Sequence, residues 1–319
     1  GTEPSVRFDA NTTDDFIAFV NARTKKDLTR FFTQWLKAPN HPSYAVTYIV
    51  DKATNSAKVR IRQTQTDTTT WVMPVKLRFS LKNVGDTTVT VWNTTKNDSF
   101  SFAFSAYPSA MAFDPTNDIP LKKVAVTKQF AGPLTAAVPG TLYAATGATD
   151  GGKLYTVNTG TGAMTLVTKT EIAQINGLRV HPKTKELIVY NNAVNSGGAL
   201  YRMGSDGVEV QQLSATVSAN LKGLAVFNDS LAYIGAFNGT ISVMNLNTGV
   251  LTTLGTNGSS QRPAGFAVNP VNGTLWMSLR NTSGAMDNIY KVNRQTGLST
   301  LVGSAGFGTA IASVSACES

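Results

Sequence analysis

The chain has 319 residues, of which 42% are apolar and only 15% are charged, and its net charge is +9. This length allows two or three domains, and the apolar content excludes an intrinsically disordered chain. The basic residues are scattered singly rather than grouped in a stripe with aromatic residues, so we expect no nucleic-acid binding. No apolar run approaches 18 residues, so we expect no membrane-spanning helix. The abundance of Thr, Asn, Ser and Gly favours a mainly β protein, secreted or at the cell surface.

Residues 12–37 predict a short helical hairpin, within a first segment that we place at residues 1–43. Thr12 or Thr13 can cap the first helix, and Asp27 can cap the second. Apolar residues of the second helix recur at the i, i+3, i+4, i+7 and i+8 spacing of a single buried face. These residues are Leu28, Phe31, Phe32, Trp35 and Leu36.

From residue 44 to about residue 124 the apolar residues alternate with polar ones, which predicts β-strands. Six or seven short strands in this length indicate an immunoglobulin-like β-sandwich at residues 44–124. Pro74 falls inside one strand and predicts a sheet edge or a bulge there. The predicted strands are Tyr44–Val50, Ala57–Gln63, Trp71–Phe79, Thr87–Asn93, Ser99–Phe104 and Ala110–Asp114.

Residues 125–139 are rich in Ala and contain two prolines. We interpret them as a linker between the sandwich and a last domain at residues 140–319, or as the start of that domain's first strand. A repeated phrase dominates that last domain.

The repeated phrase reads LYTVNTGTGAMTLV from Leu154, ISVMNLNTGVLTTL from Ile241 and IYKVNRQTGLSTLV from Ile289, with a degenerate copy from Leu200. Each copy predicts a strand, a tight turn and a second strand, and the turn glycine supplies a positive φ. The copies start 46, 41 and 48 residues apart, which is the period of a propeller blade. The sequence therefore predicts a β-propeller of about four blades.

The first of these predicted blades lacks its inner strand, because Gly140–Ala145 already matches the second strand of the other blades. Near the C-terminus, Gly308–Val314 resembles the missing strand, which favours a ring closed by the last strand. Four blades are few for a propeller. Either the ring is small, or the segment before residue 140 adds strands, or a neighbouring chain completes it.

Two segments resemble a known family. The sequence DDFIAFVNARTKKDLTRFFTQWL (Asp14–Leu36) is similar to the last helices of the catalytic domain in gluzincin aminopeptidases, zinc exopeptidases related to aminopeptidase N. The following segments HPSYAVTY, VRIRQTQ, WVMPVKLRF and MAFDPTNDIPLKKV resemble the β-sandwich after that domain. The repeated phrase also resembles extracellular repeats, which implies an architecture rather than a reaction. The resemblance implies that the chain is the C-terminal part of a secreted metallopeptidase.

The chain departs from that family at its zinc site, which is an H-E-x-x-H helix with a further Glu. The chain has two histidines, His41 and His181, and neither has Glu beside it. No catalytic residue can be carried over, and we expect no catalytic, metal or cofactor site. We interpret both histidines, and Asp114 and Asp118, as turn residues.

The single cysteine, Cys317, predicts either a tail thiol or a link to another chain. It has no second cysteine for an internal disulfide.

Leu28, Phe31, Phe32 and Trp35 are the candidate interaction residues. An aromatic side chain left in water forgoes about 1.5–3 kcal/mol of burial, so this face must pack on the sandwich, on another chain, or on a separate catalytic domain. We therefore predict a non-catalytic extracellular binding or assembly region, whose propeller binds protein or cell-surface glycan and whose partners include a second copy or an upstream catalytic fragment. The alternative is one piece of a nicked metalloaminopeptidase, active only with its missing half. A carbohydrate-active propeller is disfavoured, because the inner strands offer no paired carboxylates.

Overall fold

The structure is a computed structural model that describes residues 12–193, 197–214, 221–258, 262–269, 271–280 and 288–304. These residues form a mainly β protein with a short helical segment at the start. The chain divides into two compact units, an N-terminal unit of residues 1–131 and a C-terminal unit of residues 132–319.

The N-terminal unit begins with helix α1 at Thr13–Thr24, helix α2 at Thr29–Phe32 and a π-helical turn at Thr33–Lys37. Thr12 caps α1 through a capping box with Asp15, as the sequence predicts. The Asp27 carboxylate accepts a hydrogen bond from the Thr29 backbone N–H at 3.0 Å. Seven strands follow: β1 Ser43–Asp51, β2 Ser56–Gln63, β3 Met73–Leu81, β4 Gly85–Asn93, β5 Asn97–Ala103, β6 Pro108–Phe113 and β7 Lys123–Phe130.

The prediction of a single second helix with one buried apolar face is wrong. The backbone N–H of Ala38 donates to the Thr33 carbonyl, five residues back, which makes the last turn wider than an α-helical turn. The extra residue changes which side chains face inward, so Gln34 is buried while Phe31 and Leu36 are exposed.

Strands β5-β2-β1-β7 form one sheet and β4-β3-β6 form another, and both contribute to one hydrophobic core. In β1, β2 and β3 every second residue is buried, as the sequence alternation predicts. Strand β3 lies between β4 and β6 rather than at an edge. However, β6 pairs only with Leu77–Leu81, so at Pro74 the strand has a neighbour on one side only.

The predicted linker is also wrong in its first half, because Lys123–Phe130 is strand β7 and pairs in parallel with β1. Strand β7 is an edge strand whose side chains are mostly exposed. Because β7 is mostly exposed and two prolines follow it at positions 133 and 139, the composition of the segment resembles that of a linker.

The C-terminal unit contains four antiparallel sheets, taken in chain order as sheets I to IV. Among the described residues sheet I has three strands, without an inner strand like that of the others, and sheets II, III and IV have four. A short 3₁₀ helix at Ala148–Asp150 lies in sheet I between its first two strands. Sheet I comprises β8 Leu142–Ala145, β9 Lys153–Val157 and β10 Met164–Lys169; sheet II comprises β11 Gly177–Val180, β12 Leu187–Ala193, β13 Gly197–Met203 and β14 Val210–Gln212. Sheet III comprises β15 Leu221–Val226, β16 Leu231–Ala236, β17 Thr240–Asn245 and β18 Leu251–Thr256; sheet IV comprises β19 Arg262–Val268, β20 Leu275–Arg280, β21 Asn288–Val292 and β22 Ser299–Ser304.

The repeated turn has a side-chain cap as well as a glycine. The Asn245 side-chain oxygen accepts hydrogen bonds from the backbone N–H groups of Asn247 (2.9 Å) and Thr248 (3.1 Å), and Gly249 has φ +73°. Asn158 in sheet I and Asn293 in sheet IV make the equivalent bonds. The repeated Asn and Gly therefore define one turn geometry.

Successive sheets pack through separate hydrophobic cores, one between sheets I and II, one between II and III, and one between III and IV. The close approach of sheets III and IV depends on glycine. A Cβ atom at Gly223 would lie 2.1 Å from the buried ring of Phe266. Among the described residues no core joins sheet IV to sheet I, so closure of a ring is not seen. Gly308–Val314 and Cys317 lie outside the described residues.

Candidate functional site: an aromatic groove in the N-terminal unit

The structure brings three of the four candidate interaction residues to one groove. Leu28, Phe31 and Trp35 line it, together with residues of β3 and β4 and of the loop before β7. The fourth residue, Phe32, instead packs edge-on against Phe16 at 5.3 Å between ring centroids. The helical segment therefore presents an aromatic surface on one side and packs on its own neighbour helix on the other.

The helical wall of the groove is fixed to the sandwich at two points. The Gln34 side chain accepts a hydrogen bond from the Val72 N–H at 2.6 Å and donates one to the Val72 carbonyl at 3.1 Å. The Trp35 ring lies 4.8 Å from the ring of buried Trp71. Since buried polar and aromatic contacts hold this segment, the groove is formed before any partner binds.

The groove has a volume of about 820 Å³ and a mostly apolar lining. Two large aromatic side chains in it are open to water: Phe31 is 52% exposed and Trp92 is 60% exposed. Exposed aromatic residues grouped in a concave surface are typical of binding sites. The other lining residues are Asp27, Arg30, Val72, Met73, Pro74, Lys76, Thr90, Asp118, Ile119 and Pro120.

Charged residues of both signs line the groove. The Lys76 ammonium lies 2.9 Å from the Asp118 carboxylate, and its hydrogen bond, with a second one from Thr116, lowers the pKa of Asp118. Hydrogen bonding from Thr29 lowers the pKa of Asp27. Both carboxylates are therefore ionised at neutral pH, and the groove has no large charge of one sign.

The sequence analysis missed Trp92, which lies far from the helical segment along the chain. The sequence near Trp92 does contain a clue. In β4, Val89 and Val91 face the core, and Trp92 lies with Thr90 on the opposite, solvent-facing side of the strand. A tryptophan on the polar phase of a strand indicates an exposed aromatic residue. The sequence does not indicate that this residue lies beside Phe31.

Of the four residues interpreted as turn residues, His181 and Asp114 cap turns, whereas the Asp118 carboxylate pairs with Lys76. His181 is buried, and its Nε2 atom lies 3.0 Å from the Asp229 carbonyl oxygen. Its Nδ1 atom accepts hydrogen bonds from the backbone N–H groups of Lys183 (3.3 Å) and Thr184 (3.1 Å). In the corresponding turn of sheet IV, Asn269 accepts from the residues two and three further along in the same way. His181 thus replaces an asparagine cap.

Asp114 also caps a turn. Its buried carboxylate accepts from the N–H groups of Asp118 (2.9 Å) and Ile119 (3.1 Å) and pairs with Lys122 at 2.7 Å. The other histidine, His41, has its Nδ1 atom 3.2 Å from the carbonyl oxygen of the next residue, Pro42, which fits a local hydrogen bond.

In the described parts of the chain, no three His, Cys, Asp or Glu side chains are grouped so that they could hold a metal ion. Within the same ranges, none of the helices has the length and apolar character needed to cross a membrane.

Fold and groove together define a mainly β protein of two units that carries an aromatic groove. No protein-family model matches the chain, and no curated protein matches it. Among solved structures, a nidogen/laminin complex has 13% identity and a TM-score of 0.46 over 76% of this chain and 82% of that chain. An auxiliary nutrient binding protein from Bacteroides thetaiotaomicron has 10% identity and a TM-score of 0.38 over 84% and 72%.

An aminopeptidase A from Legionella pneumophila, in complex with aspartic acid, has 19% identity and a TM-score of 0.28. That match covers 36% of this chain and 13% of the other. These likenesses assign no family and no reaction to this chain. The origin from a gluzincin aminopeptidase stays a prediction from the sequence.

Proposed function

We propose that this chain is a non-catalytic binding region of a secreted protein, and that the groove beside Phe31 and Trp92 binds an apolar segment of a protein partner. The exposure of both aromatic side chains within one concave surface carries this proposal. The proposal includes an extracellular location, descent from a zinc aminopeptidase-like protein, and a propeller-like C-terminal unit that interacts with protein or glycan.

The energetics favour an apolar partner segment. Burying each aromatic side chain contributes about 1.5–3 kcal/mol, and tryptophan is among the residues that contribute most at interfaces. Gln34 and Trp35 hold the helical wall against Val72 and Trp71, so little ordering cost is added on binding. The charged residues at the groove are of both signs, so they set the register of the partner rather than attract one charge. The upstream catalytic fragment that the sequence resemblance implies is the partner we expect.

Selection from a library of random 12-residue peptides displayed on phage tests the groove. We expect the intact chain to select peptides with aromatic or large aliphatic residues, and we expect Trp92→Ser and Phe31→Ser to weaken binding of a synthesised peptide at least tenfold. Val84→Ser is the matched control, because Val84 is an equally exposed apolar residue of the same unit outside the groove. Equal binding by the groove variants and the control would contradict the proposal.

We infer that the chain alone does not hydrolyse peptides, because its sequence has no H-E-x-x-H pair. Purified chain should release no nitroaniline from aminoacyl p-nitroanilides, with or without added Zn²⁺. Turnover that a zinc chelator abolishes would instead favour the nicked metalloaminopeptidase.

A further inference from the structure

The three cores of the C-terminal unit use the same positions in each sheet. Each sheet has a leading face, which packs on the next sheet, and a trailing face, which packs on the previous one. The leading residues are Ile188, Leu200 and Leu213 in sheet II and Tyr233, Ile241 and Leu254 in sheet III. The trailing residues include Leu187, Met203 and Val210 in sheet II and Ala232, Met244 and Leu251 in sheet III.

Sheet I carries the trailing face of its three described strands, without the inner strand that the other sheets add, and none of the described sheets packs on it. In sheet I, Val157 lies between its partners Leu142 and Met164 on the two neighbouring strands. In sheet II, Met203 lies in the same way between Leu187 and Val210, so these residues occupy equivalent positions. Leu142 is 52% exposed, whereas Leu187 and Leu275 at the same position are 0% and 1% exposed. Met164 is 53% exposed, whereas Val210 is 6% exposed. Leu166, on the same face, is also exposed.

Sheet IV carries a leading face on which none of the described sheets packs. The register places Trp276, Ile289 and Val302 at the positions of Tyr233, Ile241 and Leu254. Val302 is exposed, and the Lys291 ammonium lies 5.5 Å from the centroid of the Trp276 ring. The two ends of the stack thus present corresponding positions of the interface that the chain forms three times internally, apart from the inner strand that sheet I lacks.

We propose that a second copy of this chain covers these ends, with the leading face of sheet IV in one copy packed on the trailing face of sheet I in the other. The repeat itself supplies the complementarity, because each end has the residue positions that its missing neighbour would match. Each copy has one face of each kind, so the contact is head-to-tail, and two such contacts close a two-fold ring when the sheets of each copy span half a turn. Within the described residues the chain does not bring its own two ends together. This inference concerns the C-terminal unit and does not depend on the groove.

Light scattering coupled to size-exclusion chromatography tests the assembly with the full chain. We expect a dimer at tens of micromolar, and we expect Leu142→Lys and Val302→Lys each to raise its dissociation constant at least tenfold. Val271→Lys is the control, because Val271 is highly exposed in a turn of sheet IV and lies on neither face. A monomeric chain, or a dimer that both face variants leave intact, would overturn the proposal.

Cross-linking distinguishes a second copy from closure of one chain on itself. In a Cys317→Ser background, chains with Leu142→Cys and chains with Val302→Cys are mixed and treated with a short bis-maleimide. We expect a covalent two-chain product in the mixture and less of it from either variant alone. If a chain carrying both cysteines cross-links only within itself, the ends meet in one chain and the proposal fails.

Discussion

The two units bury their apolar residues in different ways. In the N-terminal unit two sheets share one core, and strands distant in sequence pair, such as β1 with β7 and β3 with β6. In the C-terminal unit each sheet is formed by strands adjacent in sequence, and a separate core lies between each pair of neighbouring sheets. A local repeat therefore suffices to define the second unit strand by strand, whereas the first depends on contacts between remote segments.

The largest expected effect is a loss of stability confined to the N-terminal unit. Phe79 is fully buried in the N-terminal core, with its ring 4.9 Å from that of Phe104. Phe79→Ala should lower the free energy of unfolding of this unit by about 3–5 kcal/mol, because both sheets lose contacts with one ring. Urea unfolding followed by fluorescence reports this unit, since three of the four tryptophans lie in it. An equal shift in the transition of the C-terminal unit would show that the two units do not unfold separately.

A smaller effect tests the spacing of sheets III and IV. Gly223→Ala places a Cβ atom 2.1 Å from the Phe266 ring, which should cost about 1–3 kcal/mol in the C-terminal unit. Gly147→Ala is the control in the same unit, because a Cβ atom there meets nothing within 4 Å. If thermal unfolding shifts equally in both variants, sheet packing is not the reason for glycine at position 223.

Alkaline pH provides a comparison of one buried tyrosine in each unit. Burial raises the pKa of Tyr190 to about 12, although the positive charge of nearby Arg179 acts to lower it. Burial also raises the pKa of Tyr44, and the negative charge of Asp114 adds to that effect. The folded state therefore holds the phenol proton more tightly than the unfolded chain, whose tyrosine pKa is about 10. This contribution to stability is complete below pH 10 and is lost as pH rises through 12, by roughly 1 kcal/mol at pH 11 for Tyr190.

Urea titrations at pH 8 and pH 11 measure that loss. Tyr190→Phe should reduce it in the C-terminal unit only, and Tyr44→Phe in the N-terminal unit only. A wild-type chain that is equally stable at both pH values would contradict the prediction.

The smallest effect concerns the repeated turn. Asn245→Ala removes the acceptor of two backbone hydrogen bonds and should cost about 1 kcal/mol, whereas Asn245→Asp keeps an acceptor oxygen and should cost less. Differential scanning calorimetry of the two variants measures the difference. Equal losses would mean that the side-chain amide, rather than its oxygen, matters in this turn.

The accuracy of the sequence predictions follows the same division. The repeated phrase indicated the strand pairs and turns of the C-terminal unit, because alternation and Asn-Gly turn chemistry are local. The sequence also indicated the Thr12 cap and most strands of the N-terminal unit. It assigned most of strand β7 to a linker, because the strand is mostly exposed and prolines follow it, and it did not indicate the wide turn after Phe32, where Gln34 meets Val72.

The groove was half predictable. The helical spacing identified Leu28, Phe31 and Trp35, whereas Trp92 reaches them only through the pairing of β4 with β3. At the two ends of the sheet stack, the repeat spacing indicated that the first sheet is incomplete, whereas the exposure of Leu142 and Val302 came only from the structure.

The sequence by itself determined where strands and turns form, because two-residue alternation, capping side chains and positive-φ glycines act within a few residues. Tertiary structure decided which strands pair, which aromatic side chains share a groove and which sheet faces stay uncovered. Those outcomes depend on many weak contacts between segments far apart in the chain, and no short stretch of sequence encodes their sum.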